Sequence, residues 1–129
     1  MSEPVWLERD AVLIFHEDAL RDHGGASGVR DVGLLDSGLA RARNTFAYGE
    51  QDLCALAALY ASGVVKNHPF VDGNKRTGFL CAAVFLELNG LRFIAPEGEV
   101  VAMTLALAAS EADTDGFAAW LRDNVEAAS

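Results

Sequence analysis

Two segments of this chain, Asp52 to Lys66 and Lys75 to Asn89, are apolar on nearly every side. The first carries Leu53, Leu56, Leu59, Tyr60, Val64 and Val65, and the second Phe79, Leu80, Val84, Phe85 and Leu88. A helix without a polar face is buried at the centre of its domain. Only a short polar stretch, Asn67-His68-Pro69-Phe70-Val71-Asp72-Gly73-Asn74, separates the two. Any fold this chain adopts must therefore wrap around a central helix pair. The loop between them is held from both sides, and rigid support is what a catalytic constellation needs.

The rest of the chain supplies the wrapping. Leu7 to Asp22 places Val12, Phe15, Ala19 and Leu20 on one side and charges elsewhere, the pattern of an amphipathic helix. His16 and His23 have no partner motif around them and read as surface residues. His23-Gly24-Gly25-Ala26-Ser27-Gly28 reads as a flexible loop that ends this helix. Asp31 to Asn44 predicts a second helix with Leu34, Leu35 and Leu39 inward, and Arg41 and Arg43 at its end complement the helix dipole. Asp52 is the expected N-cap of the next. Past Asn89-Gly90, a C-cap, Leu91-Arg92-Phe93-Ile94 reads as a short strand or flap before Pro96. Glu97 to Ser110 and Asp115 to Glu126 complete the helices, with Phe117, Trp120 and Leu121 packing the last. Trp6 and Trp120 read as core residues. The expectation is an all-α protein, a compact bundle of about six helices in one domain spanning residues 1–129.

Composition narrows the function. Hydrophobic residues make up 51% of the 129, enough for a real core. The net charge of −9 argues against a nucleic-acid binder that works by phosphate neutralisation. Against this acidic background the only two lysines, Lys66 and Lys75, bracket the polar loop. Between Lys66 and Arg76 three cations stand against Asp72 alone, a local reversal that suits an anionic ligand such as a nucleoside triphosphate. Met1 to Asp10 shows no signal peptide, and the apolar runs Leu53 to Val65 and Val100 to Ala109 are too short to span a bilayer. Cys54 and Cys81 form no CxxC pair and read as buried thiols of a cytoplasmic protein.

The loop itself carries the chemistry. Pro69 biases His68 away from the helical region, so the first central helix should stop at about that residue. Asp72-Gly73 reads as a tight turn, and Asn74 as the N-cap of the second central helix. The unpaired N–H groups at that helix start form an anion site, and Lys75 and Arg76 add full charges to it. His68 is the natural general base, and Asp72 could hold Mg²⁺ through one carboxylate. Phe70 has a structural job, anchoring the loop in the core. Singly, each residue has a bland reading: a surface histidine, a turn-forming aspartate, cations facing water. Their conjunction from His68 to Arg76 at a helix N-terminus is what points to a phosphate-handling site.

The run His68-Pro69-Phe70-Val71-Asp72-Gly73-Asn74-Lys75-Arg76 resembles the signature of the Fic/Doc superfamily, whose Fic form reads H-P-F-x-D/E-G-N-G-R-x-x-R. Lys75 replaces the last glycine of that form, and Phe79 stands at its final arginine. Both departures resemble the Doc (death-on-curing) toxin branch, with its H-x-F-x-D-A/G-N-K-R-T motif. Gly28 to Ser37 is also similar to Doc-type chains. The resemblance implies ATP and Mg²⁺ as cofactors, His68 as base, Asp72 as metal ligand, and Gly73, Asn74, Lys75 and Arg76 as the phosphate grip. It implies a toxin that transfers the γ-phosphate of ATP to a hydroxyl of a target protein, in the family a translation elongation factor. The alternatives are nucleotidyl transfer of the Fic type, and a non-catalytic nucleotide- or partner-binding module. The self-inhibiting S/T-x-x-x-E-G/N pattern is absent: the only Glu followed by Gly or Asn is Glu97, and Phe93 stands four residues before it. Restraint is therefore expected from another chain, in the family a Phd-type antitoxin.

Overall fold

The computed structural model describes residues 2–128. Six helices run α1 (Arg9–His23), α2 (Val32–Ala47), α3 (Leu53–Asn67), α4 (Asn74–Leu88), α5 (Glu97–Ala108) and α6 (Thr114–Asp123). Two short strands, β1 (Leu91–Phe93) and β2 (Val125–Ala127), pair antiparallel with Leu91 opposite Ala127 and Phe93 opposite Val125. The architecture is all-α, as the periodicity requires.

Helix α3 is the axis of the bundle. Ten of its fifteen residues are buried, which leaves it no face for water. It packs against α2, α4, α5 and α6, while α4 also meets α1 and β1. Glycines let α2 and α3 touch backbone to backbone, for a Cβ added at Gly38 would stand 2.7 Å from Gly63 O. Tyr60 of α3 and Phe85 of α4 meet with centroids 5.1 Å apart, and Trp6 stacks on Phe85. Cys54 and Cys81 are free and buried, as expected.

Aspartates start three of the helices. Asp31, Asp52 and Asp113 each accept a backbone N–H from the first turn of α2, α3 and α6. Helix α2 continues past Asn44 to Ala47, so Arg41 and Arg43 lie outside its last turn and do not serve its dipole. Arg43 instead lies over the Trp6 ring, 5.4 Å from its centroid, and Arg41 reaches Ser62 Oγ.

The region around Phe93 is not a flap. Phe93 packs edge-on against Phe79 and Trp120, at 5.3 and 5.1 Å, and its strand is tied to β2. The last helix stops at Asp123 rather than Glu126, because residues 125–127 turn back to form β2. Among the described residues no helix is long and apolar enough to cross a membrane.

Candidate active site

Six residues, 68 to 73, join α3 to α4. His68 caps α3 in the left-handed conformation (φ 50°, ψ 54°), and its N–H still reaches Val64 O. That conformation costs a non-glycine residue about 1–2 kcal/mol. Arg30 offsets it: Nε donates to His68 O at 2.8 Å and Nη2 to Asn67 O at 3.1 Å. A cation on the last carbonyls of a helix is also favoured by the dipole. Pro69 therefore ends the helix as the sequence implied, and a guanidinium from outside the motif fixes the result.

Phe70 is the anchor. It is buried, its N–H donates to Asn74 Oδ1 and its carbonyl accepts from Asn74 Nδ2, both at 3.0 Å. Burying a phenyl ring contributes about 1.5–3 kcal/mol, more than the 0–1 kcal/mol of an exposed ion pair. The ring and the Asn74 amide, together with Arg30 on the carbonyls at the end of α3, hold this loop.

Asn74 is buried, and its side chain is committed to Phe70, so it is not the N-cap. Gly73 takes that place at φ 78°, ψ 15°, and Asn74 is the first residue of α4. The reason is positional. An amide that braces the loop four residues back cannot also cover the first turn of its own helix. The N–H groups of Asn74, Lys75 and Arg76 consequently find no acceptor among the described residues, and the first bond of the helix is Thr77 N to Gly73 O. These three donors, at the positive end of a 15-residue helix, form an anion cradle.

Around the cradle the charged residues take different positions. Lys75 is exposed and pairs with no carboxylate among the described residues. Arg76 Nη2 lies 2.9 Å from Glu97 Oε1 at the start of α5. Lys66 does not join them; its ammonium meets the Ser110 hydroxyl. Asp72 is exposed, with Oδ1 accepting from Gly73 N at 2.9 Å and Oδ2 from Ala26 N at 3.3 Å. His68 is exposed at the other end of the loop, its Nδ1 3.4 Å from Asn74 Nδ2. That is the outer limit of a hydrogen bond, so it steers the ring without fixing its tautomer. Histidine, carboxylate and helix start are thus carried on one loop, which Asn74 braces at Phe70 and approaches at His68.

A cleft of about 160 Å³ opens beside the cradle, lined by Lys75, Arg76, Phe79, Val100, Val101, Thr104 and Leu105. Phe79, at the position of the final Fic arginine, is 8% exposed and packs on Phe93. No cation stands there.

Three contributors lie outside the motif. Segment 28–31 runs beside it, with Val71 N donating to Gly28 O and Arg30 and Asp31 N–H donating to Pro69 O. Loop 24–28 touches the motif through Gly28 O and through the Ala26 N–H on Asp72. His16 is the second: far from being a surface residue, it is 4% exposed, stacked on Phe70 at 3.8 Å, with Nε2 2.8 Å from Asp72 O. Its signal was present, because Val12, His16 and Ala19 fall at i, i+4 and i+7 and all three are buried. Glu97 is the third, and no local pattern marks it as a partner of Arg76. His23 is exposed, as expected.

An all-α bundle that presents a histidine and a bare helix start from one braced loop defines a protein of the Fic/Doc kind. Residues 6–86 match the Fic/DOC family, from the N-terminal segment through most of α4, and the chain belongs to that family. It is 40% identical over 93 residues to the Toxin Doc of Mycolicibacterium smegmatis, covering 70% of this chain and 68% of that protein. It is 30% identical over 115 residues to the Protein kinase doc of Escherichia phage P1, covering 88% of this chain and 90% of that one.

Proposed function

We propose that this chain is a Doc-type toxin that transfers the γ-phosphate of ATP to a hydroxyl of a target protein. The observation that carries the proposal is the pairing of an exposed imidazole with three free N–H donors across one braced loop. A module that only binds has no need of a base beside its anion cradle. The names of the relatives, a toxin and a protein kinase, support the same reading.

In the reaction, the target hydroxyl gives its proton to His68 as its oxygen attacks the γ-phosphorus. The bond from that phosphorus to the bridging β-phosphate oxygen breaks, and ADP leaves. Taking the proton on Nε2 uses the Nδ1–H tautomer, in which the weak approach to Asn74 is given up. The N–H groups of residues 74–76 bind phosphate oxygens through dipole and hydrogen bonds, with Lys75 as a mobile point charge. Arg76 grips phosphate once it leaves Glu97. Asn74 acts through its backbone N–H while its side chain braces the loop, and Gly73 supplies the turn.

Asp72 suits Mg²⁺. Its carboxylate is exposed, and the described residues hold no cluster of three or more His, Cys, Asp or Glu that could build a cage. A single carboxylate plus substrate phosphates is the usual magnesium arrangement. Bound there, the ion would supply charge neutralisation on the phosphates. An elongation factor as target and a Phd-type antitoxin as restraint are the partners the family implies for this reading. The buried Phe79 leaves no second arginine and weighs against nucleotidyl transfer.

Growth after induction tests the proposal. The wild type should arrest growth and His68→Ala should not. Equal toxicity of the two would return the chain to the class of binding modules.

A further inference from the structure

We infer that His16 is a positioning residue, one that locks the Asp72–Gly73 peptide in the orientation presenting both carboxylate and anion cradle. The inference rests on the nucleotide reading above. His16 sits on α1, 56 residues before Asp72, and is buried against the motif loop. A carbonyl oxygen only accepts, so the 2.8 Å contact with Asp72 O places the proton on Nε2. The ring also faces Gly73, where an added Cβ would lie 3.5 Å from Cδ2.

A peptide plane has two ends, and here both are used. The inward end is the Asp72 carbonyl on His16. The outward end is the Gly73 N–H, which donates to Asp72 Oδ1 at 2.9 Å. Turning this plane over requires ψ of residue 72 and φ of residue 73 to change together. Glycine admits either sign of φ, so position 73 is where such a flip meets least resistance. The bond from His16 selects one state. In the other state the Asp72 carbonyl would face the free N–H groups of residues 74–76 and compete with a phosphate for them. Asp72 Oδ1 would lose its donor at the same time. Phe70 stacking holds the imidazole where its Nε2–H meets the carbonyl, which is why a buried histidine stands on α1 at this point.

Two variants separate the donor from the ring. His16→Phe keeps the stack on Phe70 but has no N–H, whereas His16→Gln offers an amide N–H without the ring. Calorimetry with Mg²⁺–ATP should show affinity down about tenfold in His16→Phe, as for loss of one buried hydrogen bond, and largely restored in His16→Gln. In the nucleotide-free protein, the Gly73 amide resonance should move in His16→Phe and return toward its wild-type position in His16→Gln. If His16→Phe does not fold, His16→Met against His16→Gln makes the same comparison at matched length. A folded donor-less variant with wild-type affinity and an unmoved Gly73 resonance would overturn the inference. So would a His16→Gln as defective as His16→Phe, because the stack alone would then matter. If the wild type binds no Mg²⁺–ATP, the nucleotide reading fails, and the Gly73 resonance still decides the lock.

Discussion

Asn74 and Glu97 show how much one side chain can decide at this site. Asn74 spends its amide on the Phe70 backbone, and by doing so leaves the first N–H groups of α4 bare. The motif residue thus makes the cradle by declining to cap it. Glu97 acts the other way, lending Arg76 a carboxylate that, on the proposed function, would compete with a phosphate for the guanidinium. The pair is partly exposed, with Arg76 at 27% and Glu97 at 64%, so it is a weak hold of under about 1 kcal/mol. Glu97→Gln is expected to raise ATP affinity by up to about fivefold at low salt, with the gain shrinking as salt is added. Calorimetry across ionic strengths checks this; an unchanged or weakened affinity would show that Glu97 does not compete for Arg76. His68, Asp72, Gly73, Lys75 and Arg76 could be proposed from the sequence because they stand together in one nine-residue run. Arg30 and Glu97 could not, for each acts on the loop from at least 21 residues away. His16 was misread because a polar residue on an apolar stripe was judged by its type instead of its spacing.

At the scale of elements, the site stands on the contact between α3 and its neighbours. The α2–α3 crossing at Gly38 and Gly63 admits no side chain, since a Cβ on either would press into the backbone of the other. Gly63→Ala should therefore destabilise the protein by about 1–3 kcal/mol, the usual cost of overpacking, or more if the helices must separate. Urea unfolding at constant slope would measure it. A variant as stable as the wild type would show that the helices slide apart freely. The helices themselves were legible because the outer ones carry an apolar stripe, the central pair is apolar nearly all round, and three of the six have an aspartate at the start. Their ends were less so. Helix α2 outran the prediction because Thr45-Phe46-Ala47 continue the turn until Tyr48-Gly49. Strand β2 was invisible, because three residues are too few to alternate and their partner lies more than 30 residues upstream.

The whole molecule is a buried helix pair with a polar loop at one end, and its stability should follow the groups that pair buries. Burial pushes the Cys54 thiol from 9.0 up to about 11, with Asp52 adding to the shift, and the Cys81 thiol up to about 12. Below pH 9 both are protonated whether the chain is folded or not. Above it the unfolded chain loses these protons while the folded one keeps them, so stability falls as pH rises until the folded values are passed. Burial moves Tyr60 in the same sense. Melting temperature should drop from pH 9 towards pH 11, with a shallower drop in a Cys54→Ala, Cys81→Ala variant. Equal slopes would mean that the thiols are not sheltered as described. The fold class was readable from the sequence because an all-apolar helix pair has one place to go. The reaction is the larger claim, and it turns on which phosphorus is attacked by the hydroxyl that His68 deprotonates. Incubating the purified protein and a cell lysate with ATP labelled at the γ or the α position tests this directly. Label reaching a protein from the γ position, and lost with His68→Ala, is the predicted result; transfer of the α label would contradict the account.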